Sequence, residues 1–509
     1  MTAPSAPAPA RSEGKGLAKG QLGLLGSTVM GLASTAPVYS LVATLGFVIT
    51  AVGVQAPIAF IVAFVPMLFI AFAYRELNRA VPDCGTTFTW ATKAFGPWVG
   101  WLGGWGVAVA GIIVLANLAQ IAGTYFWLLI GQAELSKNTL VVTITGVVFI
   151  AAMVFVSYRG IEIGERLQNV LLGIQYLALA LFVVFAFVNV AMGTAPDGAT
   201  PVSLDWFNPL GFSSFDGFTE AVLLALFIYW GWDTCLALNE ETKDPKRIPG
   251  QAALLSILVL MFTYVLVAVA AIAYSGTDAL ADQDDVFLVV KDALFGPWAW
   301  LLVLAVLISA VSSTQTTVLP TARGTLAMAV YKALPARFGQ VHPKFRTPGF
   351  STLTMGVVAI AFYVGMTFVS DNVLSDSIYS LGLAIAFYYA ITGYACVWYF
   401  RRELFTSAYN VFYKFLFPLL GAVLLTVAFV KSAIDMLDPD YGASVLFGVG
   451  GVFVVGVGSL LLGVVLAIVW ALVPASKPFF RGESLNADTP VLVPDDPGDL
   501  TRSVDGGRA

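Results

Sequence analysis

An all-α membrane protein of twelve transmembrane helices is what this sequence predicts, on three observations. Of its 509 residues 58% are hydrophobic and only 11% charged, with a mean hydropathy of +0.85, a balance that soluble globular domains do not sustain. Apolar runs of roughly 20 residues, the length that crosses a bilayer as helix, recur throughout. The basic residues then fall almost entirely on one side of the resulting layout.

The spans run approximately over 22–49, 56–74, 98–129, 139–157, 167–192, 216–238, 250–274, 295–321, 351–369, 376–399, 412–431 and 444–472. With both termini cytoplasmic, the inner segments hold 23 of the 26 lysines and arginines, and the outer ones only Lys137, Lys291 and Lys431. A single helix missed or invented near the middle would destroy that bias, because every later loop would change sides. Residues 1–20, MTAPSAPAPARSEGKGLAKG, have no apolar run and read as a disordered, basic cytoplasmic tail and not a secretory signal. The proline-bearing, acidic stretch 476–509 reads as its C-terminal counterpart.

Two segments of the chain echo each other. KAFGPWVGWL (Lys93–Leu102) and KDALFGPWAWL (Lys291–Leu301) place FGPW units at Phe95 and Phe295, 200 residues apart. They open spans three and eight, the first entering from inside and the second from outside, as an inverted repeat of five helices plus five produces. Residues 21–192 and 193–400 are then the two repeats, followed by helices 11 and 12 over 401–475.

The first helix of each repeat carries a break. Span one has Gly31-Leu-Ala-Ser-Thr-Ala-Pro37 in its middle, and Pro37 removes a backbone donor and clashes with the preceding turn. Span six has Gly231 within Tyr229-Trp-Gly-Trp-Asp233. Lipid offers no water to loose backbone groups or to a carboxylate, so broken helices are tolerated at that depth where they face protein or a polar cavity. Kinked helices also contain Gly and Pro, but two breaks at matching positions favour a binding site.

Several side chains could serve that site. Opened half-helices present backbone amides that attract a carboxylate, and Ala33, Ser34 and Thr35 are the candidates; the alternative is hydroxyl back-bonding within a kinked helix. Phe227, Tyr229 and Trp230 crowd the second break, either to cap a solute or to pack. Asp233 either binds a substrate ammonium, titrates, or makes a structural hydrogen bond. Asn117, Gln120 and Gln175 line the cavity or bond helix to helix. Ser312 and Ser313, with Thr314, could join carbonyls of span one around sodium.

Other classes are disfavoured. Cys84, Cys235 and Cys396 lie in no paired or metal-binding spacing, and the lone His342 sits in a loop. Without a nucleophile–base pair or metal cluster at depth, an enzyme and a cofactor are not expected, and nothing suggests a nucleic-acid partner. The expected partners are a small solute, the bilayer and a coupling ion, proton or sodium. A solute-gated channel or sensor using the same cavity is the competing class.

Four stretches together give the chain a family resemblance: YRELNRAVPDCGTTFTW (Tyr74–Trp90), FIYWGWDTCLALNEETKDPKRIP (Phe227–Pro249), TARGTLAMAVYKALP (Thr321–Pro335) and VHPKFRTP (Val341–Pro348). They resemble the amino acid-polyamine-organocation transporter family over spans one to ten. The resemblance implies the leucine-transporter-like fold with a two-helix tail, alternating access, and amino acid or amine transport, by import or exchange. It makes Phe227 an aromatic gate, Asp233 the acid after the break, and Asn117 the counterpart of a substrate-contacting asparagine in the arginine-agmatine antiporter. Two departures bear on chemistry. The family's Gly-Ser-Gly in span one is replaced here by Gly31–Pro37, and the span-five lysine of proton-coupled members is Gln175, which does not titrate. Sodium at Ser312 and Ser313, another proton site such as Asp233, exchange, or uncoupled flux remain as coupling modes.

Overall fold

A computed structural model of the chain describes residues 14–490 except Ser213, Asp282, Asp284, Ser370 and Ala443. The first apolar stretch folds as α1 (Leu24–Ser34), α2 (Pro37–Val52) and α3 (Ala56–Ala80). Pro37 occupies the first turn of α2, where its missing amide is not needed, and Ala36 before it takes φ 49° and ψ 62°, so the helix is interrupted at Thr35–Ala36. A short helix, α4 (Thr87–Phe95), leads through Gly96 into the long α5 (Pro97–Leu129). The one-turn α6 (Ala133–Ser136), α7 (Thr139–Arg159) and α8 (Ile161–Met192) complete the first half.

The second half opens on α9 (Phe215–Phe227) and the one-turn α10 (Thr234–Ala237), separated by residues 228–233 with Gly231 at φ 117°. Then come α11 (Ile248–Ser275), α12 (Val286–Phe295), α13 (Trp300–Val330), α14 (Gly349–Val369) and α15 (Asp371–Tyr399). The short α16 (Ala408–Asn410) passes through a π-helical turn into α17 (Phe417–Asp435). A hairpin of two-residue strands, Val445–Leu446 with Val449–Gly450, precedes α18 (Gly451–Ala471) and α19 (Lys477–Phe480). Both FGPW units join a short helix to a long one, α4 to α5 and α12 to α13, and those two long helices pack against each other more extensively than any other pair.

Among the described residues ten stretches are long and apolar enough to cross a membrane, against twelve expected. One difference is that Leu24–Ala80 counts once, although its 57 residues would reach about 85 Å as one straight helix against a hydrocarbon core of about 30 Å. It is broken at Ala36 and again by the 3-10 turn Gly53–Gln55. The other is that the interruption at Gly231 leaves only the short apolar piece Gly217–Phe227 in place of span six.

The largest core cluster threads α1–α3, α5, α8–α11, α13 and α15, whereas α7, α8, α17 and α18 carry many exposed large apolar side chains on their outer faces. That is the pattern of a bundle immersed in lipid, where outer apolar surface carries no solvation cost.

The tails depart from expectation where they are described. Residues 14–20 are not a loose tail, because Lys15 and Leu17 are buried and the following amides of Gln21 and Leu22 donate to the Glu241 carbonyl at 2.8 and 3.1 Å. Residues 476–490 likewise pack on the protein. Phe479 is buried against Phe88, ring centroids 5.4 Å apart, and the Lys93 ammonium donates to the carbonyls of Asn486, Ala487 and Thr489. Isolated anchors in a polar stretch leave no mark on hydropathy. Residues 1–13 and 491–509 lie outside the described residues.

Candidate functional site

The two interruptions touch. At Gly231 an added Cβ would lie 2.8 Å from the Ser34 carbonyl carbon and 2.9 Å from the Thr35 nitrogen, so only glycine, at this φ, lets the second break rest on the first. Gly31 permits the same approach one turn away, where a Cβ would meet the Cys235 sulfur at 2.5 Å. The Ser34 and Thr234 hydroxyls, themselves 200 residues apart, are hydrogen bonded at 2.9 Å, and the Ser313 hydroxyl donates to the Ser34 carbonyl at 2.8 Å. Three helices, α1, α10 and α13, are thereby tied at one point.

A small enclosed cavity adjoins this knot. Ser34, Trp230, Asp233 and Thr234 form one wall; Val107, Gly111, Thr317, Pro320, Thr321 and Tyr388 form the rest. Its free volume is about 10 Å³, room for one water, whereas a ligand the size of benzene takes a cavity of about 150 Å³. The structure is thus closed around it. Tyr388 donates to Asp233 Oδ2 at 3.1 Å and in turn accepts from the Trp230 indole. The Thr317 and Thr321 hydroxyls are buried and have no partner among the described residues. No basic side chain lines the cavity, and Asp233 is its one carboxylate among the described residues.

Of the residues singled out in the sequence, Ser34, Trp230 and Asp233 line this cavity; the others do not. Ala33 and Ser34 fall in the last turn of α1 and Thr35 caps it, an end where surplus carbonyls face the break. The half-helix that turns its N-terminus to the break is α2, and the Tyr39 amide there donates to Ser309 at 3.2 Å. Asn117 accepts from the Tyr39 hydroxyl. Tyr229 points to α3, donating to the Phe60 carbonyl at 3.0 Å, and Phe227 lies against Gly382 of α15. Gln120 lines a separate polar cavity of about 220 Å³ with Lys137, Thr139 and Tyr363.

The three ion-coupling candidates also separate. Ser312 turns to α8, where its hydroxyl donates to Gln168, and the Gln168 amide returns a bond to the Ser312 carbonyl at 3.0 Å. Ser313 holds α1 as described. Gln175 is fully buried with neither amide atom hydrogen bonded among the described residues. Tyr388, Thr234, Thr317 and Thr321 escaped sequence reasoning; the run Ser312-Ser-Thr-Gln-Thr-Thr317 was the available signal for Thr317 alone.

One end of the bundle is locked by charge. Lys15 sits between Asp83 at 2.7 Å and Glu240 at 2.5 Å, all three buried, and Tyr331 donates to Asp83 at 2.8 Å. Burial opposes the Lys15 ammonium, but Asp83 and the other neighbouring groups outweigh it and hold its pKa well above the ordinary lysine value. Burial likewise opposes the Asp83 charge, and Lys15, the Gly85 amide and the Thr89 hydroxyl leave its carboxyl below the usual range. The Asp83–Cys84–Glu240 group could be taken for metal ligands, yet the lysine already fills it. Alongside, Arg323 grips Glu241 with two bonds, at 2.5 and 2.9 Å.

With this geometry in place, comparison with known proteins is informative. The amino acid permease family profile matches residues 22–457, and the chain belongs to that family of membrane transporters, which are not enzymes. It is 29% identical over 345 residues to an uncharacterized transporter of Mycobacterium tuberculosis, covering 67% of this chain and 73% of that one. It is 24% identical over 420 residues to the low-affinity putrescine importer PlaP of Escherichia coli, covering 81% and 88%. Against the branched-chain amino acid permease BcaP of Bacillus subtilis it is 23% identical over 369 residues, covering 69% and 76%.

Proposed function

We propose that this chain is a secondary active transporter that moves an amino acid across the cytoplasmic membrane by alternating access, with a basic or amine-bearing solute favoured. The fold we assign is twelve transmembrane helices, built as a leucine-transporter-like inverted repeat of five plus five with two C-terminal helices and both termini cytoplasmic. Family membership, the two FGPW units and the 200-residue offset between Ser34 and Thr234 all support that reading.

The observation that carries the proposal is the contact of the two broken helices beside an occluded cavity. A solute there meets the carboxylate of Asp233, hydroxyls of Ser34, Thr234, Thr317 and Thr321, and the Trp230 ring. One anion and no cation on the walls favour a substrate ammonium, and a substrate carboxylate is left to backbone amides at the break. Ala33, Thr35, Asn117, Phe227 and Tyr229 act around the solute as the helices part, Phe227 as a gate between α9 and α15. For coupling, Ser313 with the Ser34 carbonyl offers oxygens to sodium, Gln175 and Ser312 remain candidates on α8 and α13, and Asp233 is the candidate for protons. A polyamine is the second reading, favoured by the lone carboxylate.

Radiolabelled uptake into proteoliposomes, over a panel of amino acids and putrescine with sodium and pH varied separately, tests this. Saturable, competable uptake of one solute class is expected, and Asp233→Asn should lower it at least tenfold. Full uptake by that variant removes the carboxylate from recognition; continuous conductive flux favours a channel.

A further inference from the structure

Apart from the solute cavity, the described residues enclose a larger hollow on the side of α5, α13, α14 and α18, with a free volume of about 390 Å³. Trp101 and Trp105 of α5, Met328 of α13, Met355 of α14, and Leu466 and Val469 of α18 make its walls. The walls are fixed: Trp101 donates to the Ala333 carbonyl at 3.0 Å, Trp105 donates to the Ser459 carbonyl at 2.9 Å, and Ser351 donates to the Phe338 carbonyl at 2.9 Å. This is more than twice the cavity of about 150 Å³ that takes up benzene, and Val358 and Val469 on its rim are among the exposed large apolar residues. An opening of that kind on a membrane helix bundle faces acyl chains.

The loop at one end of the hollow adds a charge. Leu334, Pro335 and Phe338 line the hollow, and Lys332 and Arg337 alternate with them along the chain; Lys344 and Arg346 follow in the same loop. All four are exposed, and none forms an ion pair among the described residues. From Ala293 to Ser370 the sequence contains no aspartate or glutamate, so nothing local neutralises them. Arg323, the remaining arginine of that stretch, is already taken by Glu241.

We infer that this hollow is a binding site for an anionic phospholipid, one acyl chain lying between α5, α13, α14 and α18 and the phosphate headgroup on the Lys332–Arg346 loop. Unpaired cations beside an apolar slot at the end of membrane helices match both ends of such a molecule. The site adjoins the proposed solute cavity, because Thr321 lines both and Gly111, which lines the smaller one, packs close to the Thr321 hydroxyl, where an added Cβ would be 2.6 Å from it. A lipid chain held there braces the wall that α5 and α13 share with the solute. The inference does not depend on which solute is carried.

Native mass spectrometry of the full chain, equilibrated with equimolar phosphatidylglycerol and phosphatidylcholine in detergent, tests it. Retention of phosphatidylglycerol at least fivefold over phosphatidylcholine is expected. Replacing Lys332, Arg337, Lys344 and Arg346 together by Gln should bring that preference to within twofold. Filling the slot with Ala108→Phe and Val358→Phe should reduce retention of the lipid at least fivefold. If the filled variant does not fold, quenching of tryptophan fluorescence by brominated phosphatidylglycerol serves instead, and Trp470→Phe, which removes a wall tryptophan, should lose part of it. Equal retention of the two lipids by the wild type, or undiminished retention in the charge-stripped variant, overturns the inference. So does a dimer that the filled variant dissociates without change in bound lipid.

Discussion

The charged lock at one end of the bundle and the cavity beside Asp233, where we propose that solute binds, are both buried polar clusters, and their charges are satisfied to different degrees. In the lock every charge has a partner: Lys15 with two carboxylates, Arg323 with both oxygens of Glu241. In the cavity Asp233 has only hydroxyl company, and Thr317 and Thr321 have none among the described residues. A buried polar group without a partner costs about 1–3 kcal/mol, which a folded protein retains where a ligand will supply the missing bond. The charges of the lock are thus paired within the fold, whereas the cavity keeps hydrogen-bonding capacity that a bound molecule could use.

Breaking the lock should have the largest effect. Lys15→Met strands two carboxylates in a buried site, and loss of one partner from such a cluster costs about 3–5 kcal/mol. Hydrogen exchange over residues 14–22 should rise accordingly and the thermal unfolding midpoint should fall; unchanged protection there would show that the lock is ornamental. At the cavity, Gly231→Ala forces a side chain into a positive-φ position against the Ser34 carbonyl, a cost of about 1–3 kcal/mol from the backbone alone. Uptake should drop about tenfold to a hundredfold while exchange over residues 14–22 stays as in the wild type. Coupled loss of both would merge the two regions into one.

The lock also has a pH signature. Asp83 has a depressed folded pKa, so its stabilisation is present above the unfolded value of about 3.9 and is lost as pH falls through the folded one. Lys15 has a raised one, so its contribution is present below about 10.4 and is lost as pH rises through the folded value. Protection of residues 14–22 should therefore fall in strong acid as Asp83 is protonated. The smallest effect belongs to Gln175→Leu. Exchanging an unpaired buried amide for an apolar group should stabilise the protein by about 1 kcal/mol in thermal unfolding, while uptake loses its ion dependence. Stability gained with ion dependence intact would mark Gln175 as a packing defect.

What could be read from the sequence follows from what lipid forbids. Gly31–Pro37, Gly231 and Asp233 were legible because broken helix and buried charge are intolerable in hydrocarbon unless they face a cavity. Tyr388, Thr317 and Thr321 were not, since a tyrosine or threonine in an apolar helix breaks no rule and its facing depends on how the helix is rotated by its neighbours. Lys15 was hidden for a different reason: one lysine in a Gly- and Pro-rich stretch is buried only because Asp83 and Glu240, far along the chain, converge on it. The span count differed at the Gly53–Gln55 turn, across which spans one and two run together, and at the Gly231 interruption that belongs to the site.

The central claim is that the meeting point of the two breaks is where solute is held and where the helices part. Replacing Ser34 and Thr234, whose hydroxyls lie 2.9 Å apart, by a pair of cysteines in a chain freed of Cys84, Cys235 and Cys396 tests it directly in proteoliposomes. Oxidation should bring uptake to background, reduction should restore it, and solute should slow the crosslinking. Full uptake with the crosslink in place would contradict the account.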